Sequence, residues 1–521
     1  MMGRKSAQTN IHYGLTLDRL VPHDHYVRAL DQAMDFEFVR KLVRSKFSDV
    51  GQPSIDPVVL LKLGVLGYWE GIRSERRMCR ELEVNVAWRW FLNYDFEEQI
   101  FDHSVLTKFR RRLGENFYRE CLSEVVRACC QRGLVRGKEL YVDSTLTDAD
   151  ASLNSTRSRQ LLEQLTSSGL QSVDEHVAAL QVVNDGEAED EPPAGPPPPR
   201  EKRPRGRGLQ PQDKPPVSER HTNAMVASKT DRDAELFRKK DEPMRLCHKA
   251  HFAVDSGPAK IITAVVPTRA TEHDSHDIPA VLAEHQRNVG SLPDTFVADK
   301  GYSTKAAYRY LDERGIEALI PPKRYANSGG GALREEFTFD ATNNSFWCPE
   351  GHELKEFSLE TSHHLTEYRP APRTCQACPR KPLCAPGKGD RTVQRHWDQG
   401  LMDAAGEKLS SRRGRRLYRR RMHICEAPNA EMKGQGTLGR ARYRGHGKMA
   451  IQQYSEAIAY NLKRLVRASR YLVETPASTG IAALPPTATR LLGSLSVRIR
   501  ALARGEAELR PSTGIRVPAY F

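Results

Sequence analysis

Apolar residues recur with helical spacing between about 15 and 135. In the stretch SIDPVVLLKLGVLGYWEG, Asp56 is a predicted N-cap and Pro57 the first helical position. Gly71 is a predicted stop signal at the end of the same stretch. A later helix is expected to begin with Ser104 as its cap. The pattern predicts an all-α N-terminal region.

From Glu139 onward the pattern changes to β-prone runs separated by turn residues and helical segments. A hairpin is expected around Ser-Gly-Pro, because β-prone runs flank it on both sides. Strands and helices then alternate, which predicts a mixed β-sheet covered by helices, an α+β or mixed α/β fold. The predicted elements are, in chain order, the strands ELYVDSTL, CHKAHFAVD and AKIITAVVPT, the helix HDSHDIPAVLAEHQRNV, the strand DTFVADKGY, the helix TKAAYRYLDERG and the strand IEALIPP.

Polar segments divide the chain into regions. An insert at about 170–217 is rich in Pro, Gly and charged residues, cannot bury a core, and is predicted to be disordered. The predicted regions are a helical N-terminal domain (1–136), the sheet with this insert (137–324), a small cysteine-containing insert (325–400), a C-terminal helical part (401–474) and a loosely ordered tail (475–521).

The charge balance points to a polyanionic partner. Lys and Arg number 80 against 66 Asp and Glu, and the net charge is +14. Nucleic acid is the first expectation and an acidic membrane surface the second. No apolar run is long enough for a transmembrane helix, and the N-terminus lacks the apolar region of a secretory signal. The ten cysteines are spread unevenly along a long chain, which favours a reducing cytosol.

Two acids follow β-prone runs: Asp143 in YVDS and Asp299 in VADKG. Carboxylates at the rim of a sheet are suited to bind divalent cations, and Mg²⁺ prefers such oxygen ligands. Two ions about 4 Å apart can activate a water or hydroxyl and stabilise the leaving oxygen of a phosphodiester. The alternative is that each Asp is an ordinary turn residue.

A third acid is expected in the basic segment YRRRMHICEAPNAEMK. Glu426 and Lys433 lie seven residues apart, so both side chains share one face of a helix. Pro428 places Glu426 at a helix start or a kink. Glu431 is the competing acid, and the alternative for Glu426 is an acid that moderates a basic surface.

The segment HSVLTKFRRRLGENF carries Arg110, Arg111 and Arg112. Short helices with basic faces and tight turns are typical of compact DNA-binding modules. The alternative is a helical bundle whose arginines form a solvated face. Trp88 and Trp90 are predicted to belong to the core rather than to stack on bases.

Taken in order, these motifs resemble the DDE-class bacterial insertion-sequence transposases of the group with the YREK signature. That resemblance implies an RNase H-like catalytic core preceded by an all-α N-terminal DNA-binding domain. The residues of the signature would be Tyr418, Arg421, Glu426 and Lys433. The motifs that carry it are DPVVLLKLGVLGYWEG, YVDSTLTDADAS, SKTDRDAE, VADKGYST, Y…R…E…K, RARYRGHGK and AIAYNLKRL.

The resemblance also implies a mechanism. Asp143, Asp299 and Glu426 would bind two Mg²⁺ (or Mn²⁺) ions, water would free a 3′-OH at a transposon end, and that hydroxyl would attack target DNA. Tyr418, Arg421 and Lys433 would hold DNA phosphates. A homodimer on paired DNA ends and a cytoplasmic, nucleoid-associated location are expected.

The chain departs from the family pattern in two places. The gap between Arg421 and Glu426 is one residue longer than the simplest signature, and APNAEMKG lacks the usual aromatic–glycine pair. The choice between Glu426 and Glu431 therefore stays open at this point. Two alternative functions are an inactive or domesticated DNA-binding relative and a metal-dependent nuclease.

Four cysteines form a separate group: Cys348, Cys375, Cys378 and Cys384. Four thiolates could close a tetrahedral, structural Zn²⁺ site, and His352 could replace one of them. The alternative is an insert with free thiols.

The dipeptide His273-Asp274 follows the third predicted strand of the sheet. It is interpreted as a helix cap, with a place near the active site as the alternative.

Overall fold

The structure is a computed structural model. It describes residues 2, 15–160, 162–163, 223–238, 242–323, 332, 336–361, 364–387 and 389–474. The insert predicted at 170–217 and the tail predicted at 475–521 lie outside these residues. The chain divides into two units, Met1–Ser469 and Arg470–Phe521, and the elements below lie in the first, except for the last residues of the final helix.

The N-terminal region is helical, as predicted. Asp56 accepts a hydrogen bond from the Val58 backbone N–H at 2.9 Å, and Pro57 occupies the first helical position. Gly71 has a positive φ of 66° just after that helix. The helices are α1 (Leu17–Leu20), α2 (Tyr26–Ala33), α3 (Phe38–Val43), α4 (Pro57–Trp69), α5 (Glu75–Val84), α6 (Val86–Leu92) and α7 (Ser104–Gln131).

The expectation that Ser104 caps α7 is wrong. The N-cap is His103, and Ser104 is the first helical residue. The physical reason is that the Asp102 carboxylate already accepts the Ser104 backbone N–H at 2.9 Å, so the helix begins one residue earlier than a serine cap would set it.

The two tryptophans of α6 differ in burial. Trp88 is 2% exposed and belongs to the helical core, as predicted. Trp90 is only partly buried: its indole donates to Asp18 at 3.2 Å, and the Arg28 guanidinium lies 4.5 Å from its ring centre.

A six-stranded mixed sheet, which we call the large sheet, follows α7. Strand β1 pairs antiparallel with β5 and parallel with β7, and β7 pairs parallel with β8. Strands β4 and β6 both pair with β5, and β5 and β6 form the predicted hairpin. The strands are β1 (Glu139–Asp148), β4 (Glu235–Phe237), β5 (Arg245–Asp255), β6 (Ile262–Thr268), β7 (Thr295–Ala298) and β8 (Glu317–Leu319), while β2 (Thr156–Ser158) and β3 (Val226–Ser228) pair separately.

Two helices connect the sheet strands at the predicted places, α8 (Ile278–Val289) between β6 and β7 and α9 (Lys305–Asp312) between β7 and β8. Their apolar side chains pack with strand residues such as Val142, Phe296 and Ala298 in one core. This core fixes the relative positions of β1 and β7, the strands that carry or precede the candidate acids.

A second, antiparallel sheet of five strands follows, with the order β13-β12-β11-β10-β9. We call it the small sheet. Its elements are β9 (Thr338–Asp340), β10 (Ser345–Trp347), β11 (Glu353–Glu360), β12 (Leu365–Pro370), the short helix α10 (Lys381–Cys384) and β13 (Val393–His396).

The C-terminal part returns to the large sheet. A hydrogen bond of 3.3 Å from the Tyr141 hydroxyl to the Leu417 carbonyl joins β1 to this part, and the Asn461 side chain bonds both backbone groups of Ile262. Its elements are α11 (Gln399–Ser410), α12 (Arg412–Arg421), a π-helical turn (Met422–Glu426), α13 (Ala427–Gly434) and α14 (His446–Glu474). Among the helices of the described residues, none combines the length and hydrophobicity needed to cross a bilayer.

Candidate active site at the edge of the large sheet

The structure places Asp143 and Asp299 side by side. The parallel register pairs Val142 of β1 with Ala298 of β7. Asp143 directly follows the first of these residues and Asp299 the second. Strand β7 ends at this point, and Asp299 accepts the Gly301 backbone N–H at 2.8 Å. Two acids 156 positions apart in the sequence therefore meet at one point of the sheet.

Asp143 does not end its strand, contrary to the sequence-based expectation. Strand β1 continues to Asp148, and Asp143 pairs with Phe252 of β5. The reason is that the second half of β1 keeps its antiparallel partner β5 after its parallel partner β7 has ended. Asp143 is thus the first residue of β1 that lies beyond the end of β7 and is paired with β5 alone.

Asp143 has two polar partners on the C-terminal helices. Its carboxylate accepts Arg421 Nη2 at 2.9 Å and Asn429 Nδ2 at 3.3 Å. Burial raises the pKa of Asp143, Arg421 opposes that shift, and the nearby charges of Asp299 and Asp274 add to it. The site therefore holds negative charges close together at an energetic cost that an added cation would relieve.

Asp274 is a third acid beside the first two. A Cβ atom at Gly301 would lie 2.8 Å from Asp299 Oδ1 and 2.9 Å from Asp274 Oδ2, so these oxygens are less than about 6 Å apart. Lys249 Nζ lies 3.0 Å from the other oxygen of Asp274. We call Asp143, Asp274 and Asp299 the acid cluster.

The two alternatives for His273-Asp274 each apply to one residue. His273 is the N-cap of a short 3-10 helix and accepts the Ser275 N–H, whereas Asp274 joins the acid cluster. The signal for Asp274 in the sequence was its place shortly after the third core strand, next to a more obvious cap.

The structure does not bring Glu426 to the acid cluster. Glu426 is exposed at the end of the π-helical turn, and within the described chain it has no hydrogen bond or ion pair. The turn inserts one extra residue into the helix between Arg421 and Asn429, the two residues on these helices whose side chains contact Asp143. In the ranges that the structure describes, no three Asp, Glu, His or Cys side chains are placed to hold one ion.

Glu431, the competing acid, is held elsewhere. Its carboxylate accepts both terminal nitrogens of Arg464, at 2.7 and 2.5 Å. Burial raises the pKa of Glu431, but the hydrogen bonds and charge of Arg464 outweigh burial and lower it overall. Glu431 therefore joins α13 to α14, whereas Glu426 has no partner among the residues that the structure describes.

The residues predicted to contact DNA have different environments. Arg110 forms an internal ion pair with Glu75 and lies 4.3 Å from the ring centre of Tyr443, so it joins α7 to the C-terminal part. Arg111 and Arg112 are exposed on the same helix.

The other residues of that prediction lie on the C-terminal helices. Burial raises the pKa of the half-buried Tyr418. Lys433 is exposed, and Arg421 is bound to Asp143.

Four further arginines of α12 were not among the residues predicted from the sequence to contact DNA. They are exposed, and among the described residues they have no acidic partner, unlike Arg413 and Arg420, which pair with Glu317 and Glu139. Their spacing of three, four and seven positions puts them on one helical face, a signal that the sequence did contain. We call these residues the arginine face: Arg412, Arg415, Arg416 and Arg419.

Two buried polar atoms beside Asp143 have no hydrogen-bond partner among the described residues, Arg421 Nε and Asn429 Oδ1. Buried polar atoms are nearly always paired, so such exceptions favour a site that a ligand or water completes.

The four cysteines of the small sheet line one cavity together with His352. We call Cys348, Cys375, Cys378 and Cys384 the cysteine cavity. Burial raises the pKa of Cys384, Arg391 opposes this, and the other three thiols add to it, so the four sulfurs are near neighbours.

Two family models match the chain. One, described as a transposase domain (DUF772), matches 15–112, and one described as a transposase DDE domain matches 347–466. These two matches support an insertion-sequence transposase of the DDE class. Membership of the YREK group stays a prediction. No curated protein matches the chain.

The two matches cover different parts of the chain. The first covers α1 to α6 and the start of α7, including the three predicted DNA-contact arginines. The second begins at Trp347 and includes the cysteine cavity, the arginine face and Glu426. Asp143 and Asp299 precede it, so their assignment depends on the sheet geometry.

Proposed function

We propose that this transposase cuts DNA at the ends of its element and joins the freed 3′-OH to target DNA, with Asp143, Asp299 and Glu426 as its catalytic acids. The observation that carries the proposal is the placement of Asp143 on β1 beside Asp299, which directly follows the adjacent parallel strand β7. We also propose that the sheet is RNase H-like, which is supported by the parallel pairing of its first strand, β1, with the later strand β7.

The acid cluster fits divalent cations in its chemistry. Carboxylate oxygens that repel one another, next to unsatisfied buried polar atoms, are suited to Mg²⁺ or Mn²⁺. Asp143 and Asp299 would hold the ions, with Glu426 as a third ligand. When bound, such ions lower the pKa of a water or hydroxyl and stabilise the leaving oxygen of a phosphodiester.

Glu426 reaches the acid cluster in this proposal by a change in the π-helical turn. Rewinding a π turn to α-helical geometry shifts the register by one residue, which rotates side chains by about 100° around the axis. Glu426 directly follows Cys425. Burial raises the pKa of the Cys425 thiol, and the charge of Asp143 raises it further.

Arg421 would change partners when DNA binds. In this structure its guanidinium neutralises part of the charge on Asp143. Bound cations would take over that role, and the guanidinium would then be available to a phosphate, for which its planar donors are suited. Lys249 stays paired with Asp274.

The arginine face would contact the DNA backbone near the scissile bond. It lies on α12, whose last residue is Arg421, so its charges lead directly to Asp143. Phosphate contacts of this kind position DNA without reading its sequence. Arg111, Arg112, Tyr418 and Lys433 are further proposed DNA contacts, and the active form would be a homodimer on two paired ends.

The experiment is a nicking and joining assay with purified protein and DNA that carries the inverted repeats flanking the coding region. We expect nicks that require Mg²⁺ or Mn²⁺, followed by joined product. Asp143→Ala should bind the same DNA without nicking it. DNA binding without nicks would identify an inactive relative, nicks without joined product a nuclease, and equal activity of wild type and Asp143→Ala would refute the proposal.

A further inference from the structure

The small sheet has little hydrophobic core of its own. Within the described residues, its buried apolar cluster consists of Ala332, Phe337, Phe346, Leu354, Tyr368 and Val393. On the same sheet, Phe357 is 60% exposed and Leu359 58% exposed. A core of this size contributes little free energy of folding, and small units of this kind are usually stabilised by disulfides or a metal ion.

The topology brings the four cysteines to one end of this sheet. Cys348 lies in the turn between β10 and β11, and the other three lie between β12 and β13. Because Leu354 of β11 pairs with Pro370 of β12, the start of β11 and the end of β12 are at the same end. Two chain segments thus supply thiols to one cavity.

Backbone donors already point at two of the sulfurs. The His352 N–H donates to Cys348 Sγ at 3.3 Å, and the Arg391 N–H donates to Cys375 Sγ at 3.3 Å. The first belongs to a tight turn in which Gly351 has a positive φ of 77°. Such donors stabilise negative charge on sulfur and orient the ligand, as outer partners do at metal sites.

We propose that Cys348, Cys375, Cys378 and Cys384 bind one structural Zn²⁺ that holds this end of the small sheet together. All four are free thiols, and four thiolates at about 2.3 Å form a closed tetrahedral site. In this structure the sulfurs surround the cavity without sharing one coordination point. Zinc draws them inward, releases the thiol protons and adds its binding free energy to folding.

The first test is the metal content of the full chain, expressed with zinc in the medium. We expect one zinc per chain by mass spectrometry of the metal. Replacement by Co²⁺ should give thiolate-to-metal charge-transfer bands in the near ultraviolet and intense d–d bands typical of four sulfurs in a tetrahedron. Protein that contains no zinc, or that shows disulfides between these cysteines, would overturn the proposal.

Matched variants identify the ligands. Cys378→Ser should lower the zinc content at least ~10-fold, since even changes to outer partners cost about that much. Cys130→Ser, a half-buried thiol on α7, and His352→Asn should both keep the zinc. Zinc retained by Cys378→Ser, or lost from His352→Asn, would refute the four-thiolate assignment. If Cys378→Ser does not fold, the Co²⁺ spectrum of the wild type still decides.

Discussion

The acid cluster and the cysteine cavity both gather side chains from distant parts of the chain, but the two regions are held in different ways. At the acid cluster, the strands are fixed by a core that contains Val142, Phe296 and Ala298, so like charges stay together. At the cysteine cavity, the core is small and the proposed ligands lie outside the strands, in a turn and in short helical segments. A metal ion bound in the region with a large hydrophobic core would therefore contribute to catalysis. A metal ion bound in the region with a small core would contribute to stability.

The two regions should consequently respond in opposite ways to the loss of a ligand. Removing a carboxylate from the acid cluster should remove repulsion along with the proposed function, a trade-off typical of active sites. Removing a thiol from the cysteine cavity should loosen the small sheet, because the proposed zinc contributes its folding free energy directly.

The largest expected effect compares Asp299→Asn with Cys378→Ser. Asp299→Asn should lower the nicking rate about 1000-fold, because several kcal/mol of transition-state stabilisation depend on the ions. Its thermal stability should not fall. Cys378→Ser should instead increase amide hydrogen exchange in β10 to β13. Nicking assays and hydrogen exchange of both variants check this contrast.

The opposite pattern would contradict the comparison. If Asp299→Asn unfolded more easily while Cys378→Ser kept full protection of the small sheet, the acid cluster would be the structural region. Cys130→Ser serves as the control for replacing a thiol outside the cysteine cavity.

The next effect separates Glu426 from Glu431. Glu426→Gln should lower nicking about 100-fold without changing the free energy of unfolding, because the side chain is exposed and unpaired within the described chain. Glu431→Gln should cost about 1 kcal/mol of stability and leave nicking largely intact, because it weakens the bidentate pair with Arg464. Nicking rates and urea unfolding of both variants measure the two effects.

A reversed result would make Glu431 the third acid. The same pair gives a pH control: since the pKa of Glu431 is lowered in the folded state, its stabilising contribution is present above its unfolded value and is lost as pH falls. Glu431→Gln should therefore lose most stability relative to wild type at neutral pH and less in acid.

A third effect concerns Glu456 on α14, a buried acid with hydrogen-bond donors from Thr437. Burial raises the pKa of Glu456 from 4.5 to about 7. Its protonated form therefore contributes stability below pH 4.5, and this contribution is lost as pH rises through about 7. Relative to Glu456→Gln, wild type should lose roughly 3 kcal/mol over that window.

Urea unfolding at several pH values measures this difference. The control is Glu313→Gln, because the side chain of Glu313 is 59% exposed. Its free energy of unfolding should depend on pH in the same way as that of wild type. A constant difference between wild type and Glu456→Gln across the window would show that the acid titrates normally in the folded protein.

The smallest expected effect tests the arginine face against the paired arginines of the same helix. Arg415→Gln with Arg419→Gln should weaken DNA binding about 10-fold and lower the salt slope of log K by about 2. Arg413→Gln with Arg420→Gln removes the same charge from residues already paired with Glu317 and Glu139. We expect a smaller change in slope there; equal slopes for the two double variants would refute a specific role for the arginine face.

Local patterns were sufficient for much of the fold. The N-cap at Asp56, the hairpin of β5 and β6, and the alternation of α8, β7, α9 and β8 were all correctly predicted, because each depends on neighbours in sequence. The start of α7 was missed by one residue, since Asp102 and Ser104 both offer acceptors and the chain used the earlier one.

The site was less predictable than the fold. Asp143 and Asp299 could be chosen as acids after β-prone runs, but the continuation of β1 past Asp143 depends on β5. Arg110 resembled a DNA contact until tertiary structure paired it with Glu75. Asp274 was placed near the active site only as the alternative to a cap, and the arginine face was overlooked because a general basic run was the simpler local interpretation.

The sequence by itself determined the helices, the strands, the basic charge and the candidate acids, since these follow from residue type and short-range spacing. Only the tertiary structure decided which acids meet, that Glu431 belongs to Arg464, and that four cysteines share one cavity. The physical reason is that strand register and helix packing are fixed by burial of the whole core, and no local pattern contains that information.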